Sequence, residues 1–235
     1  MFEFVTRRIE KWQKMYDFLY TLAIGNSYYA NFGKASEKCQ IGTNQTLWPQ
    51  NIFMDDWSRL QNLTNMVAWK GKLIIKKYAA VSSQCLIIPG AHIPTVGLPQ
   101  FLSITHINDK DGEIVVNEDA WVGARCVLLS KCEIGRGAVV GAGSIVSKKI
   151  PPYAVAVGSP AKIVAARFTI EQILEHERIL YLPEERMSRE ELEELFKTHY
   201  DGLRTIGTSD MSDEDRQKLR EAKKQWGIPD YSKVK

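Results

Sequence analysis

A run of hexads between Val116 and Val146 constrains this chain more than any other feature. Val116, Val122, Leu128, Ile134, Val140 and Val146 are aliphatic at a strict interval of six. Four positions after each of the first five stands a small residue: Ala120, Cys126, Cys132, Ala138 or Ser144. Gly follows the aliphatic residue at Gly123, Gly135 and Gly141. A period of six matches neither the helical period nor two-residue strand alternation. It matches a parallel β-helix, in which each repeat is one short strand and one corner. The aliphatic side chain then points into a prism, the small residue fits the crowded bend, and Gly relieves backbone strain at the turn. A sandwich would need turn signals every eight to twelve residues or so, and this stretch has none.

Looser hexads precede it. Ile41 and Leu47 are six apart. Met54, Leu60 and Met66 follow in a shifted register, with Ser58 and Thr64 at the small position. Ile75, Val81 and Ile87 follow in a third register, with Ala79, Cys85 and Ala91 four positions on. The shifts predict bulges or insertions near residues 49–53 and 67–73. Residues His92 to Gly112 break the repeat with two Pro and two of the four His of the chain. A loop this long inside a compact domain is usually functional or disordered, and its apolar content argues against disorder. It reads as ejected from one corner and packed close to the chemistry.

The flanks are helical in pattern. Val5, Ile9, Trp12, Tyr16, Leu19 and Ala23 recur at spacings of three and four, which predicts a helix over roughly residues 3–24. It would cover one end of the prism or pack on a neighbouring subunit; its mixed aromatic and basic content also fits a membrane-surface helix. After Pro151–Pro152 and Gly158, capping boxes at Thr169/Gln172 and Ser188/Glu191 predict two helices, and Ser212 a third. The division is therefore an N-terminal helical segment (1–34), a β-helix with loop 92–113 (35–166), and a helical tail (167–235). A net charge of +3 over 235 residues gives no case for nucleic acid. The four Cys lack CxxC spacing, and Cys85, Cys126 and Cys132, at the small corner position, read as buried small residues in a reducing compartment. With no signal-peptide core and no membrane-spanning run, the expected location is cytoplasmic.

The stretches EDAWVG and IGRGAVVGAGSIVSKKIPPYAVAVGSPAKIVAARF resemble the hexapeptide-repeat acyltransferases. The branch with galactoside, maltose, xenobiotic and capsular-polysaccharide O-acetyltransferases is the most similar. The resemblance covers roughly residues 41 to 168, and its most specific parts are GAGS, Pro-Pro and Gly-x-Pro-Ala-Lys. It implies a left-handed parallel β-helix, a homotrimer, and acetyl-CoA lying in the groove between adjacent subunits with the loop of one subunit closing it. The hand comes from the resemblance alone, since parallel crossovers are ordinarily right-handed.

The activity it implies is transfer of an acetyl group from acetyl-CoA to a hydroxyl, on a sugar or surface-polysaccharide precursor, with no metal. Such transfer needs a base for the hydroxyl proton, backbone donors for the oxyanion, and two substrates held together. His92, after Ile88-Pro-Gly-Ala, matches the family's His at the loop entrance; His106 is the competitor, or an acceptor-orienting residue. Asp109 and Asp111 could contact sugar hydroxyls or simply be polar loop residues. Ala124, and Ala142 with Gly143 in GAGS, match positions lining the pantetheine channel. Ser147 and Lys148 match a pair near the nucleotide, and Lys162 a basic residue that meets phosphate. Arg167 stands two positions beyond a second basic position, occupied here by Ala165. Trp121 is exposed by the repeat phase and could wall the pocket. His176 and His199 read as structural or solvent-exposed. N-acylation of an amino sugar uses the same His. A β-helix carbonic anhydrase would need three His as zinc ligands, and only His92 and His106 lie in the repeat region. A non-catalytic scaffold is the remaining alternative.

Overall fold

The computed structural model describes Trp12 and residues 32–42, 45, 46, 48–67 and 70–234. The helix expected over residues 3–24, apart from Trp12, and the hexad position Leu47 lie outside the described residues. From Lys34 onward the chain winds into stacked coils that place short strands on three faces, the last coil supplying strands to the first two only. The first face carries Lys34–Ala35, Ile52–Met54, Lys72–Ile75, Glu113–Val116, Glu133–Ile134 and Lys149–Ile150. The second carries Gln40–Ile41, Arg59–Leu60, Ala80–Val81, Trp121–Val122, Val139–Val140 and Ala154–Val157, closed by Lys162–Ala166. The third carries Gln45–Thr46, Asn65–Met66, Leu86–Ile88, Val127–Leu129 and Ile145–Val146. Neighbouring strands are parallel, except that Lys162–Ala166 runs antiparallel to Ala154–Val157.

The hexads account for the core. Val116, Val122, Leu128 and Ile134 are fully buried, and so are the corner residues Cys126 and Ala138. The earlier registers do the same work through Met54, Leu60, Ile75, Val81 and Ile87. Cys85, Cys126 and Cys132 are buried free thiols. The expected insertions are a 3-10 turn at Pro49–Asn51 and a left-handed Gly71 before Lys72–Ile75. Ala91 departs from the pattern. It is exposed, because the chain leaves the prism there and pairs antiparallel with Lys110.

The reason for Gly in the repeat also differs from the expectation. A Cβ on Gly123 would come within 2.6 Å of the Ala142 backbone nitrogen in the next coil. Gly123 is thus required by the close approach of backbone above it, not by turn strain. The left-handed corner position falls three residues after the inward aliphatic, at Asp119, Arg125, Lys131, Gly137 and Gly143. Four of these donate their N–H to the coil behind, Asp119 to Lys77 O, Arg125 to Ser83 O, Gly137 to Glu118 O and Gly143 to Ala124 O, at 2.8–3.0 Å. Those bonds offset the steric cost of left-handed backbone at non-glycine residues.

The tail helices are α1 (Ile170–Leu180), α2 (Arg189–His199) and α3 (Asp213–Trp226). Thr169 and Ser188 form both predicted capping boxes, and Ser212 caps α3. Ile173 of α1 and Leu192 of α2 pack with Tyr153 of the last coil. The junction is polar as well: buried Glu177 accepts from Tyr153 Oη at 2.8 Å and from the Met187 N–H at 2.5 Å, with Arg136 Nη1 at 3.5 Å. No helix among the described residues is long and apolar enough to cross a membrane.

Leu128 is flanked above and below by inward side chains of the same face, Ile87 and Val146. Truncation there leaves a cavity that rigid coils cannot close. Leu128→Ala is expected to lower unfolding free energy by about 2–5 kcal/mol, read from the shift in urea midpoint at constant m-value. A loss below about 1 kcal/mol would show that the stack relaxes around the cavity.

Candidate active site

The loop leaves the prism after Leu86–Ile88, at the corner between the third and first faces. Its stem is a two-bond clasp: Ala91 N–H to Lys110 O and Lys110 N–H to Ala91 O, each 3.0 Å. The stack passes beneath undisturbed, since Leu73 still pairs with Ile114 and Ile75 with Val116. Within the loop a 3-10 segment spans Gln100–Thr105 and ends at His106, which is left-handed with φ 56°. Asn108 is also left-handed, and its amide donates to Thr95 Oγ1 at 2.8 Å. These two reversals bring Asp109 back over the stem.

There it meets both loop histidines. His92 Nδ1 lies 2.8 Å from one Asp109 oxygen, and His106 Nδ1 lies 2.8 Å from the other. The rings stack at 5.7 Å between centroids with 28° between planes. Asp109 is the enclosed member, its side chain 15% exposed against 49% for His92. The hydrogen bonds from His106 and then His92 hold the Asp109 carboxyl below the usual carboxylate range. An ionised carboxylate can only accept, so both imidazoles donate through Nδ1, and the neutral His92 ring carries its lone pair on Nε2. A cleft of about 210 Å³ lies beside this cluster, lined in part by Trp48, Ile88 and Gly90.

Two imidazoles and a carboxylate within 4.8 Å of one another also form a candidate cation site. The 2.8 Å nitrogen–oxygen distances are hydrogen-bond lengths. Ligands on one tetrahedral zinc ion, with bonds of about 2.0–2.1 Å, sit about 3.3 Å apart. The geometry suits shared protons, and Asp109 would have to release both rings to join them in holding an ion.

The expected cofactor-contacting residues fall elsewhere. Ala124 and Ala142 stack on one another at the corner between the second and third faces, joined through the Gly143 N–H to Ala124 O bond of 2.9 Å. Gly143 is exposed, with open space where a side chain would go. Trp121 stands beside them on the second face, 54% exposed, its indole N–H donating to Ser82 Oγ. Ser147 and Lys148 are exposed at the third-to-first corner, the same corner as the loop stem. Lys162 is exposed on the closing antiparallel strand. Within one chain, His92 and the Ala124–Ala142 corner stand at opposite edges of the third face.

Arg167 is a correction. It turns into the tail junction, where Nη1 donates to Asp119 Oδ2 at 2.6 Å and to the carbonyls of Asp119 and Gly137. His176 Nε2 meets the same Asp119 oxygen at 2.9 Å, a structural role. Ala165 is buried in its strand. His199 is exposed. The residue that sequence reasoning left undecided is Asp109; the signal was its i,i+3 spacing from His106 in a loop with two His.

Comparison with known proteins places the repeat. Residues 113–148 match the family model described as bacterial transferase hexapeptide (six repeats). A chloramphenicol acetyltransferase from Klebsiella aerogenes is 40% identical over 75 residues, 32% of this chain and 36% of that protein. A putative acetyltransferase from Staphylococcus aureus (strain COL) is 42% identical over 66 residues, 27% of this chain and 33% of that protein. The chain spans about a third of the length of these curated relatives. Among solved structures, a hexapeptide-repeat-containing acetyltransferase from Vibrio cholerae matches with TM-score 0.52 at 19% identity, covering 60% of this chain and 78% of that one. A maltose O-acetyltransferase from Clostridium difficile 630 matches with TM-score 0.53 at 20% identity, covering 60% and 73%. The fold is therefore the left-handed parallel β-helix. Residues 113–148 thus carry the repeat that this family model describes, on a fold like that of these solved structures.

The carboxylate at the centre of the cluster sets its acid limit. Because the folded-state pKa of Asp109 is depressed, its contribution is present above the ordinary carboxylate value near ~3.9 and lost as pH falls through the lower folded value. The side-chain carboxyl ¹³C shift of Asp109 is expected to keep its ionised value down to about pH 4 and to move only below it. A move to the protonated value above about pH 5 would contradict a depressed Asp109.

Proposed function

We propose that this protein is an acetyl-CoA-dependent O-acetyltransferase acting on a sugar or surface-polysaccharide precursor in the cytoplasm. The observation that carries the reading is His92. It is half-exposed on a loop thrown from a hexapeptide-repeat prism, and its Nδ1 is tied to a carboxylate so that Nε2 is the basic nitrogen. Support comes from the curated relatives named as acetyltransferases and from the Vibrio cholerae protein, which has been solved with acetyl coenzyme A. The maltose O-acetyltransferase match supports a hydroxyl acceptor on a sugar.

In the proposed reaction the acceptor O–H hydrogen passes to His92 Nε2 as the oxygen attacks the thioester carbonyl carbon. Backbone N–H groups hold the tetrahedral oxyanion. The C–S bond then breaks, and the imidazolium returns its proton to the coenzyme A sulfur. Transfer is direct, within a ternary complex, and His106 borders the same site. Trp121, Ala124, Ala142 and Gly143 would line the pantetheine arm, where small side chains let it reach backbone amides. Ser147, Lys148 and Lys162 would serve the nucleotide end. Because His92 and the Ala124–Ala142 corner occupy opposite edges of one face, the complete site is assembled between copies of the chain, and a homotrimer of prisms brings unlike corners together. Exposed Val96, Phe101 and Ile104 on the loop would then cover the neighbouring subunit.

His92→Ala is expected to lower kcat at least about a hundredfold in a thiol-release assay with a panel of sugar and amino-sugar acceptors. Coenzyme A affinity by calorimetry and the trimer by light scattering should stay as in the wild type. A variant that keeps most of its turnover overturns the base assignment. A wild-type chain that is monomeric and does not hold coenzyme A overturns the enzyme reading and leaves a scaffold.

A further inference from the structure

We infer that Asp109 is a positioning residue for the transfer and that His106 works through it. The proposal rests on His92 as the base. Three observations carry it. Each Asp109 oxygen takes one imidazole Nδ1 at 2.8 Å, so the carboxylate is a two-sided bridge and not a partner of one ring. Asp109 is much less exposed than His92, so the bridge is the fixed member and the base the accessible one. The loop reaches this arrangement through left-handed backbone at His106 and Asn108, with Asn108 clasped to Thr95 across the loop.

The chemical consequence follows from the bonding capacity of each group. A half-exposed imidazole on two side-chain bonds swings freely and exchanges tautomers. Tying Nδ1–H to a carboxylate stops the swing and leaves Nε2 as the only basic nitrogen. A carboxylate with a single partner would itself pivot about its side-chain bonds. His106 takes the second oxygen and fixes the carboxylate plane. His106 is thus a buttress and not a second base. When His92 receives the acceptor's proton, the Asp109 carboxylate oxygen, 2.8 Å from Nδ1, accepts from the Nδ1–H of the new imidazolium and stabilises it before the proton moves on to sulfur.

An Asn at this position keeps the shape but offers one carbonyl and one NH2, so it cannot accept from both rings. One imidazole must turn or change tautomer. The experiment compares the wild type with Asp109→Asn, His106→Gln, His92→Ala and the double variant His92→Ala/Asp109→Asn, each as the full chain. Asp109→Asn is expected to lose about a hundredfold or more in kcat, with the KM for acetyl-CoA within about threefold. His106→Gln is expected to lose roughly tenfold, since Gln still presents an N–H to the carboxylate. The double variant should be no slower than His92→Ala, because a group that acts through the base has nothing left to act on. Ring ¹⁵N shifts of His92 should report one tautomer in the wild type and a mixture in Asp109→Asn, a signature that holds without any turnover.

If His92→Ala is inactive and Asp109→Asn keeps kcat within about threefold, the positioning role is wrong and the base assignment stands. A further loss in the double variant, equal to that of Asp109→Asn alone, also overturns it, since the two residues would then act independently. Stoichiometric binding of ZnCl2 to the wild type, lost in both Asp109→Asn and His106→Gln, would make the cluster a metal site and overturn the bridge. Full activity in His92→Ala removes the base reading itself, and is distinguished from the other outcomes by the single variant.

Discussion

Coil-on-coil registration is the interaction on which everything else in this molecule rests. Each short strand hydrogen-bonds to the strand one coil above and below, and the corners are stitched in the same direction by left-handed residues such as Asp119 and Arg125. No strand among the described residues exceeds five residues, so none could stand alone as an ordinary sheet element. The stack is stable because the central coils each bury an aliphatic side chain on every face, as at Val116, Val122 and Leu128. It is rigid because a one-residue slip would turn inward residues out on all three faces.

That rigidity is what makes the loop useful. A clasp of two backbone bonds between Ala91 and Lys110 anchors a long excursion to a corner that cannot move far. The loop then folds on itself through polar contacts: Asn108 to Thr95, and Asp109 to both histidines. Its apolar side chains, Val96, Phe101 and Ile104, point outward instead. A loop that pairs Asn108 and Asp109 internally and exposes Val96, Phe101 and Ile104 is shaped for another surface, as the proposed site between subunits requires.

The far end of the prism shows a different solution to the exposed last coil. The chain reverses into the antiparallel strand Lys162–Ala166, and the tail helices cover what remains. Their contact includes the buried Glu177, whose desolvation is offset by the Tyr153 hydroxyl, the Met187 N–H and Arg136. Burial pushes the Tyr153 phenol up, so it stays protonated and keeps donating to Glu177. Asp119 ties in Arg167 and His176 a short way along. Arg167, two positions beyond the basic position of the resemblance, is held inside the chain by the Asp119 carboxylate at a hexad corner.

The prism was legible because its rule is local: an inward aliphatic and a small corner residue recur at six, and burial follows directly at Val122, Cys126 and Leu128. The capping boxes at Thr169 and Ser188 were legible for the same reason, each being a bond between residues three apart. The candidate base was visible as one of two loop histidines, but not its setting. Which oxygen of Asp109 meets which ring depends on the left-handed backbone at His106 and Asn108, and backbone handedness at non-glycine residues leaves no mark in composition. The same holds for Gly123, whose lack of a side chain answers to a backbone one coil away. Sequence by itself determined the repeat, its inward positions and the place where the loop leaves it, because these are set by periodic burial. Only the tertiary structure decided that Asp109 bridges two imidazoles, that Arg167 is turned inward, and that His92 and the Ala124–Ala142 corner stand on opposite edges. Those depend on contacts between residues far apart along the chain, which only the closed coils bring together.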